Sequence, residues 1–302
     1  MKLQLTTLSV LLCVMTAPLC KTMAAAEIGE SEQRVYKTVG DVKLKMYIYN
    51  PAGHVAADKK PVIVFFFGGG WKGGSPKQFQ KQSEYLASRG MVAMSAEYRV
   101  SSKHQVKAVS CVKDAKSAIR WVRQHAKQLG INPNQVVAAG GSAGGHLAAC
   151  TGTILEFDEA NEDLEISSKP NAMVLFNPAV VLAPVADRPN FLKAKNLEAR
   201  MGVDPIKLSP YHHVRKGIAP TLILHGKGDT TVPYWTADYY TAALQKKGNV
   251  CQLVGYNNQK HGFFNFGRNG NKNFIATTTE MDKFLTALGY LKGEPTVKEF
   301  LK

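Results

Sequence analysis

Short apolar segments alternate with helical segments along most of the chain, and this alternation constrains the fold more than any other feature of the sequence. Strands that alternate with helices pack as a mostly parallel sheet with helices on both faces. The predicted strands span residues 42–50, 61–67, 91–98, 135–140, 172–177, 221–226 and 251–256, and the predicted helices span residues 78–89, 106–129, 146–155, 234–247 and 274–288. We therefore predict an α/β fold.

The alternation fails in one place, at about residues 180–214, which are rich in proline and irregular in pattern. We call this segment the insertion. A long irregular connection in a compact domain is usually functional. We predict a small cap here; the alternative is a connection that carries only short helices.

The N-terminal 26 residues have the pattern of a secretory signal peptide. Lys2 is followed by an apolar stretch from Leu3 to Met15, and small residues end the segment at Ala26. The stretch is shorter than the roughly 20 residues that a membrane span requires. We therefore predict a signal peptide at residues 1–26, one domain at residues 27–302, export to the periplasm or the extracellular space, and no stable membrane span. Cys20 could instead mark a lipid-attachment site.

The chain is basic, with a formal charge of +15. Its lysines are scattered along the chain, without the clustering or aromatic interleaving of a nucleic-acid-binding face. We predict a solvated basic surface and no nucleic-acid partner.

Three cysteines follow the signal peptide: Cys111, Cys150 and Cys251. Their spacing fits no metal site, so no metal is predicted. Cys111 and Cys150 lie on predicted helices that flank one strand, and in an oxidising compartment they could form a disulfide.

A glycine-rich loop follows the strand at 61–67. Gly68, Gly70 and Gly73 match G-x-G-x-x-G, and Glu97 ends the next strand, which is close to a dinucleotide-binding pattern. However, Trp71 is bulky where that pattern requires a small residue, and the turn residues that follow it delay the helix that would hold a pyrophosphate. We therefore predict that this loop serves another purpose and that no cofactor is bound.

The sequence Gly-Gly-Ser-Ala-Gly at residues 140–144 lies between a predicted strand and a predicted helix. A G-x-S-x-G motif in that position forms a sharp turn that exposes the serine hydroxyl above the sheet. We therefore predict that Ser142 is a nucleophile.

A serine nucleophile requires a histidine base and a carboxylate, which follow it along the chain in this kind of fold. Asp229 comes after the strand at 221–226, and His261 comes after the strand at 251–256. Both positions lie at the sheet edge where open α/β sheets place their sites. We interpret the other candidates as structural because no carboxylate is placed to orient them: His146, His212, His213 and His225.

Attack on a carbonyl places negative charge on its oxygen, which backbone N–H groups stabilise. In this fold they come from the residue after the serine and from the loop after the third strand. Gly69, Gly70 and Ala143 are the predicted donors, and Trp71, beside the loop, is predicted to contact the substrate.

Six segments together resemble the esterases related to hormone-sensitive lipase, particularly the secreted bacterial branch that includes acetylxylan and feruloyl esterase-like proteins. The segments are FFFGGGW, AEYR, CVKDAKSAIRWVR, GGSAGGHLAA, PTLILHGKGDTTVP and HGFFNFG, and the resemblance covers about residues 40–290. It implies an α/β-hydrolase fold with a mostly parallel eight-stranded sheet and a small cap or irregular insertion. It also implies a triad of Ser142, Asp229 and His261.

The chain departs from that family at Phe67, where a histidine usually precedes the three glycines. Such a histidine braces the loop and does not react, so we expect the chemistry to be retained and Phe67 to act through packing.

We expect an exported, cofactor-free carboxylic-ester hydrolase that acts through an acyl-enzyme on short-chain acyl or aryl esters. The resemblance adds acetyl or feruloyl esters of polysaccharides, so the expected partner is a small-molecule or carbohydrate ester. A serine peptidase of the prolyl-oligopeptidase type and a non-catalytic binding module on the same fold are the alternatives. The sequence does not indicate an oligomeric state.

Overall fold

The structure is a computed structural model that describes residues 31–185, 188 and 197–302. The predicted signal peptide and Cys20 lie outside the described residues, as does part of the insertion.

The described residues form an eight-stranded sheet with the strand order β1-β2-β4-β3-β5-β6-β7-β8. β1 pairs antiparallel with β2, and β2 with β4, while the other neighbours are parallel. The predicted mostly parallel eight-stranded sheet is therefore confirmed. The strands are β1 (Glu32–Val39), β2 (Val42–Tyr49), β3 (Lys60–Phe66), β4 (Val92–Ala96), β5 (Ile131–Gly141), β6 (Ala172–Phe176), β7 (Thr221–Gly226) and β8 (Cys251–Tyr256).

The strand β1 was not among the predicted strands. It lies at the edge of the sheet, and Tyr36 is its one buried residue. An edge strand that is mostly exposed carries polar residues on both faces, so it lacks the apolar run that marks the central strands.

Helices cover both faces of the sheet. Successive side chains of a strand point to opposite faces, so Val62, Val64 and Phe66 of β3 belong to one core and Ile63 and Phe65 to the other. Residues of α3, α4 and α6 pack in the first core, and residues of α1 and α7 pack in the second. The helices are α1 (Gln80–Ser88), α2 (Ser101–His104), α3 (Ala108–Gln124), α4 (Ala143–Thr153), α5 (Leu197–Met201), α6 (Tyr234–Lys246), α7 (Lys272–Ala287) and α8 (Val297–Phe300).

The insertion lies between β6 and β7. Its described part contains α5 and two 3₁₀ helices, Pro205–Leu208 and Pro210–His213. These are the short helices of the alternative interpretation. Residues 186, 187 and 189–196 of the predicted cap lie outside the described residues.

The suggested disulfide between Cys111 and Cys150 is wrong, because both side chains are free thiols. The Sγ of Cys111 lies 3.0 Å from the carbonyl oxygen of Arg99, and the Sγ of Cys150 lies 3.2 Å from Nε2 of His146. The two helices thus direct the sulfurs to different neighbours. Over the residues that the structure describes, no helix has the length and apolar character needed to cross a bilayer.

Candidate active site

Ser142 occupies the turn between β5 and α4. Its backbone has φ 55° and ψ −119°, a conformation that an L-residue adopts only when its surroundings enforce it. The surroundings are close: a Cβ added to Gly144 would lie 2.0 Å from the carbonyl oxygen of Phe66. Glycine at this position therefore allows the helix to pack against β3 and keeps the turn sharp.

The structure brings Ser142, His261 and Asp229 together. His261 Nε2 lies 2.9 Å from Ser142 Oγ, and His261 Nδ1 lies 2.7 Å from Asp229 Oδ2. Because a carboxylate accepts hydrogen bonds, Nδ1 carries the proton and Nε2 is free to accept the hydroxyl proton. The histidine side chain is 23% exposed and the aspartate side chain 0%, so the site opens to solvent on the histidine side.

Asp229 is held by its own loop. Its Oδ1 accepts hydrogen bonds from the backbone N–H groups of Thr231 and Val232, at 2.8 and 2.9 Å. Burial acts to raise the pKa of this carboxyl, but hydrogen bonds from His225, His261 and Val232 outweigh it, so the pKa lies well below its ordinary value. The aspartate therefore stays ionised at neutral pH.

The interpretation of His225 requires a correction, because a carboxylate does lie beside it. Its Nε2 is 3.4 Å from Asp229 Oδ2 and donates to the carbonyl oxygen of Val232 at 2.8 Å. The ring is fully buried, so it supports the aspartate from inside the protein. His212 and His213 bond within the insertion instead, to Ser209 and Ile206.

The predicted oxyanion donors lie in two segments, the start of α4 and the glycine loop, and at Gly68 this loop approaches Ser142, because an added Cβ there would lie 3.3 Å from Ser142 Cβ. Ala143 is the first residue of α4, and the N–H groups of a first helical turn have no partner within the helix. Within the described part of the chain, no hydrogen bond uses the N–H of Gly69 or Gly70. Gly69 has φ +130°, and an added Cβ would lie 2.2 Å from the carbonyl oxygen of Gly73. Only glycine fits this position.

The sequence did not reveal an amide bridge between the glycine loop and the loop that follows β8 and carries His261, which we call the histidine loop. Gln78 Oε1 accepts from the Gly68 N–H at 2.6 Å, and its Nε2 donates to Asn265 Oδ1 at 2.9 Å. Asn265 Nδ2 donates to the Gly262 carbonyl oxygen at 2.9 Å, and the Gly262 N–H donates to Asn177 Oδ1 at 3.1 Å. The bridge therefore connects the loop beside the serine with the residue that follows His261.

Of these bridge residues, Asn177 carried a usable sequence signal. It comes directly after the apolar run of β6 and thus lies at the sheet edge that holds Ser142. Gln78 carried none, because its role depends on a contact with a residue 187 positions away.

Trp71 packs into the protein beside the site, and its contact with a substrate stays a prediction. The side chain is 4% exposed, and its Nε1 donates to Nδ1 of His146 at 3.1 Å. His146 in turn donates from Nε2 to the carbonyl oxygen of Leu208, and burial lowers the pKa of this histidine to about 4. Trp71 therefore anchors the glycine loop to α4 and the insertion.

Arg200 of α5 contacts the glycine loop from the insertion. Its Nη2 donates to the Gly70 carbonyl oxygen at 2.6 Å, and its guanidinium lies 5.1 Å from the centre of the Trp71 ring. The loop is thus fixed from both sides.

Phe67 begins the glycine loop and is 3% exposed. Its ring stacks on Tyr98 with 4.1 Å between the centroids, and the Tyr98 hydroxyl donates to the Phe67 carbonyl oxygen at 2.7 Å. The aromatic pair supports the start of the loop by packing, as expected.

A cavity of about 690 Å³ lies beside the turn. Gly68 and Gly69 form part of its wall, and Asn265, Phe266 and Arg268 form another part. Within the described residues, no group of three His, Cys, Asp or Glu side chains is placed to hold a metal ion.

The chain is similar to several known proteins. A structure of Thermogutta terrifontis esterase 2 in its apo form is 51% identical, with a TM-score of 0.84, and the match covers 89% of this chain and 98% of that one. A structure of the same esterase phosphonylated by sarin is 49% identical, with a TM-score of 0.86 and the same coverage. This similarity confirms the α/β-hydrolase fold.

Among curated relatives, an acetylxylan esterase of Xylanibacter ruminicola is 28% identical over 227 residues, which is 72% of this chain and 42% of that protein. The carboxylesterase NlhH of Mycobacterium tuberculosis is 31% identical over 119 residues, which is 39% of this chain and 36% of that protein. The chain thus spans less than half the length of these two relatives.

The BD-FAE family model matches residues 46–244, which is well over half of the chain. The matched range contains the glycine loop, the turn at Ser142 and Asp229. The resemblance seen in the sequence motifs is confirmed, and the chain belongs to the BD-FAE family of α/β-hydrolases related to hormone-sensitive lipase.

Proposed function

We propose that the protein is a serine carboxylesterase that hydrolyses esters through an acyl-enzyme. One observation carries this proposal: the continuous hydrogen-bonded series from Ser142 Oγ through His261 to Asp229, at 2.9 and 2.7 Å. A hydroxyl becomes an effective nucleophile when a base of this kind removes its proton.

In the first half of the reaction, His261 Nε2 takes the Ser142 proton as Oγ bonds to the ester carbonyl carbon. Asp229 remains ionised and stabilises the imidazolium. The carbonyl oxygen gains the negative charge, and the N–H groups of Gly69, Gly70 and Ala143 stabilise it. The tetrahedral intermediate then breaks its bond to the alcohol oxygen, which takes the proton from His261 and leaves.

In the second half, a water molecule attacks the acyl-enzyme while His261 takes one of its protons. The second tetrahedral intermediate breaks its bond to Ser142 Oγ, which recovers that proton. The carboxylic acid is released and the free enzyme is restored. The site needs no cofactor for these steps.

We propose short-chain acyl or aryl esters as substrates, including acetyl or feruloyl esters of polysaccharides. Structures of the Thermogutta terrifontis esterase with bound propionate and bound butyrate support short acyl groups. The similarity to an acetylxylan esterase supports acetylated polysaccharide. The pattern at residues 1–26 supports export.

A fluorophosphonate probe and a substrate panel test the proposal. We expect the probe to label the wild-type protein and not Ser142→Ala. We expect p-nitrophenyl acetate, propionate and butyrate to be hydrolysed faster than p-nitrophenyl octanoate. Acetylated and feruloylated oligosaccharides are tested in parallel. If the wild-type protein were neither labelled nor active on any ester, the proposed esterase function would be rejected and a non-catalytic binding module would be favoured. Cleavage of a prolyl peptide amide in place of the esters would favour the peptidase.

A further inference from the structure

We infer that the cavity beside Ser142 binds the alcohol portion of the ester and selects alcohols that carry a carboxylate on a ring. This inference rests on the proposed function and specifies its substrate class. The cavity lies beside the reacting groups, is lined by positive charge and contains one exposed aromatic side chain.

The cavity lies between the two loops that would hold a reacting ester. Gly68 and Gly69 line it on one side, and a Cβ added to Gly68 would lie 3.3 Å from Ser142 Cβ. On another side it is lined by residues that follow His261 in the same loop. Because the histidine gives its proton to the departing alcohol, the alcohol lies on the histidine side, which is where this cavity opens.

The charged side chains that line the cavity are all positive: Lys77, Lys81 and Arg268. Lys81 forms an ion pair with Glu84 at 2.7 Å, so its charge is partly compensated. In the part of the chain that the structure describes, neither Lys77 nor Arg268 takes part in an ion pair. A concave site lined by uncompensated charge of one sign concentrates ligands of the opposite sign.

Arg268 is also placed beside the catalytic histidine. Its Nη1 lies 3.5 Å from the carbonyl oxygen of His261, and the same atom would lie 3.4 Å from a Cβ on Gly262. Guanidinium groups bind carboxylates through paired N–H donors. A carboxylate on the alcohol would therefore find a donor close to the place where the alcohol leaves.

Phe266 provides an apolar surface in the same cavity. Its side chain is 39% exposed, and Lys81 Nζ lies 5.7 Å from the ring centre. Ligand sites combine an apolar or aromatic surface with a few charged groups that fix orientation. A planar or cyclic alcohol can lie on this ring while its carboxylate points to Lys77 and Arg268.

The test compares 4-acetoxybenzoate with its uncharged methyl ester. Binding is measured by calorimetry on Ser142→Ala, which holds the intact ester, and kcat/KM is measured on the protein with Ser142 present. Lys77→Met, Arg268→Gln and the double variant remove the cavity charges. Lys216→Met, an exposed lysine outside the cavity lining, is the matched control.

We expect 4-acetoxybenzoate to bind Ser142→Ala at least about tenfold more tightly than the methyl ester, and the double variant to lose that difference. The affinity for the methyl ester and the kcat/KM for its hydrolysis should change by less than about twofold in every variant. High salt should weaken the binding of the charged ester selectively, because salt screens the attraction between exposed charges, with a screening length that falls from about 10 Å at 0.1 M to about 3 Å at 1 M. The Lys216→Met control should behave as wild type.

Equal binding of the two esters, or a preference that survives in the double variant, would overturn the inference. Failure of the proposed function has a different signature, namely no turnover of either ester and no fluorophosphonate labelling. Since binding is measured without turnover, the two failures are distinguishable. If Arg268→Gln folds poorly, Lys77→Met and the charge-reversed Lys77→Glu test the charge dependence of binding instead. The Lys77 side chain is exposed, so neither change should disturb folding.

Discussion

The three residues of the triad differ in how directly they contact the ester, from Ser142, which attacks it, through His261 to Asp229. We expect Ser142→Ala to lower kcat by about a million-fold and His261→Ala by nearly as much, since a triad acts as a unit. Asp229→Ala should retain more activity because the aspartate orients the imidazole and does not touch the ester. Steady-state kinetics on one short ester, with circular dichroism to verify folding, check this. Substantial activity in Ser142→Ala would contradict the assignment of the nucleophile.

Gly69 of the glycine loop has no room for a side chain. Gly69→Ala requires a Cβ at φ +130° within 2.2 Å of a backbone oxygen, so the loop must move and its N–H donors with it. We expect kcat to fall by about a hundredfold or more. Gly40→Ala is the control, because Gly40 also has positive φ but nothing lies within 4 Å of its Cβ position. An equal loss of kcat in both variants would point to general backbone strain.

At this scale, the sequence was informative where a residue's role follows from its place beside a strand. Asp229 and His261 lie in the loops that follow β7 and β8, and Ser142 directly follows β5. The burial of Trp71 could not be seen, because it depends on where His146 and Leu208 meet in space. A tryptophan next to a site has the same sequence signature whether it faces the ligand or the core.

Between elements, the amide bridge of Gln78 and Asn265 connects the start of the glycine loop with the histidine loop. We expect Gln78→Ala to lower kcat about tenfold with little change in KM, since the bridge positions groups that act in the transition state. Asn265→Ala should do the same, and the double variant should be no worse than either single variant, because each removes the same bridge. A double-mutant cycle in kcat measures this coupling.

Gln80→Ala is the control for that cycle. Gln80 lies two positions from Gln78, also lines the cavity, and bonds outward to Glu84 at 2.8 Å. It should leave kcat within about twofold of wild type. Strictly additive losses in the cycle would mean that Gln78 and Asn265 act independently.

Secondary structure was predictable where an apolar run marks a strand. Strands β7 and β8 were placed at their observed bounds, and the central strands to within a few residues, because apolar runs mark them. The predicted helix at 106–129 is shorter, since α3 spans Ala108–Gln124 and the chain then turns. Helix ends depend on local backbone contacts that apolar spacing does not report.

Across the whole molecule, the buried carboxylate of Asp229 links stability to pH. Its pKa is depressed in the folded state, whereas an unfolded aspartate titrates near 3.9. The stabilising contribution is therefore fully present above about pH 4 and is lost as the pH falls through the folded pKa. We expect the unfolding free energy of wild type to fall more steeply than that of Asp229→Asn between about pH 5 and pH 2. Denaturant titrations at several pH values measure both slopes.

Asp41→Asn, an exposed aspartate in the turn between β1 and β2, serves as the control. The unfolding free energy of this variant should fall with decreasing pH as steeply as that of wild type. Parallel slopes for wild type and Asp229→Asn would show that Asp229 does not contribute to acid sensitivity.

The three thiols beyond the predicted signal peptide are all buried and free. Burial raises the pKa of Cys111 to about 12 and that of Cys251 to about 11, and it raises the pKa of Cys150 as well. We expect none of the three to react with Ellman's reagent at pH 8 in the native protein and all three to react in denaturant. A denatured, non-reduced sample that titrates one thiol would indicate a disulfide after all.

The site draws on four strands that are distant along the chain. The glycine loop follows β3, the serine follows β5, and the acid and the base follow β7 and β8. Contacts between distant parts of a chain form slowly, because the intervening chain must first be ordered. A newly made chain is therefore inert until its last strand has joined the sheet, and the return of ester hydrolysis during refolding reports the completion of the sheet.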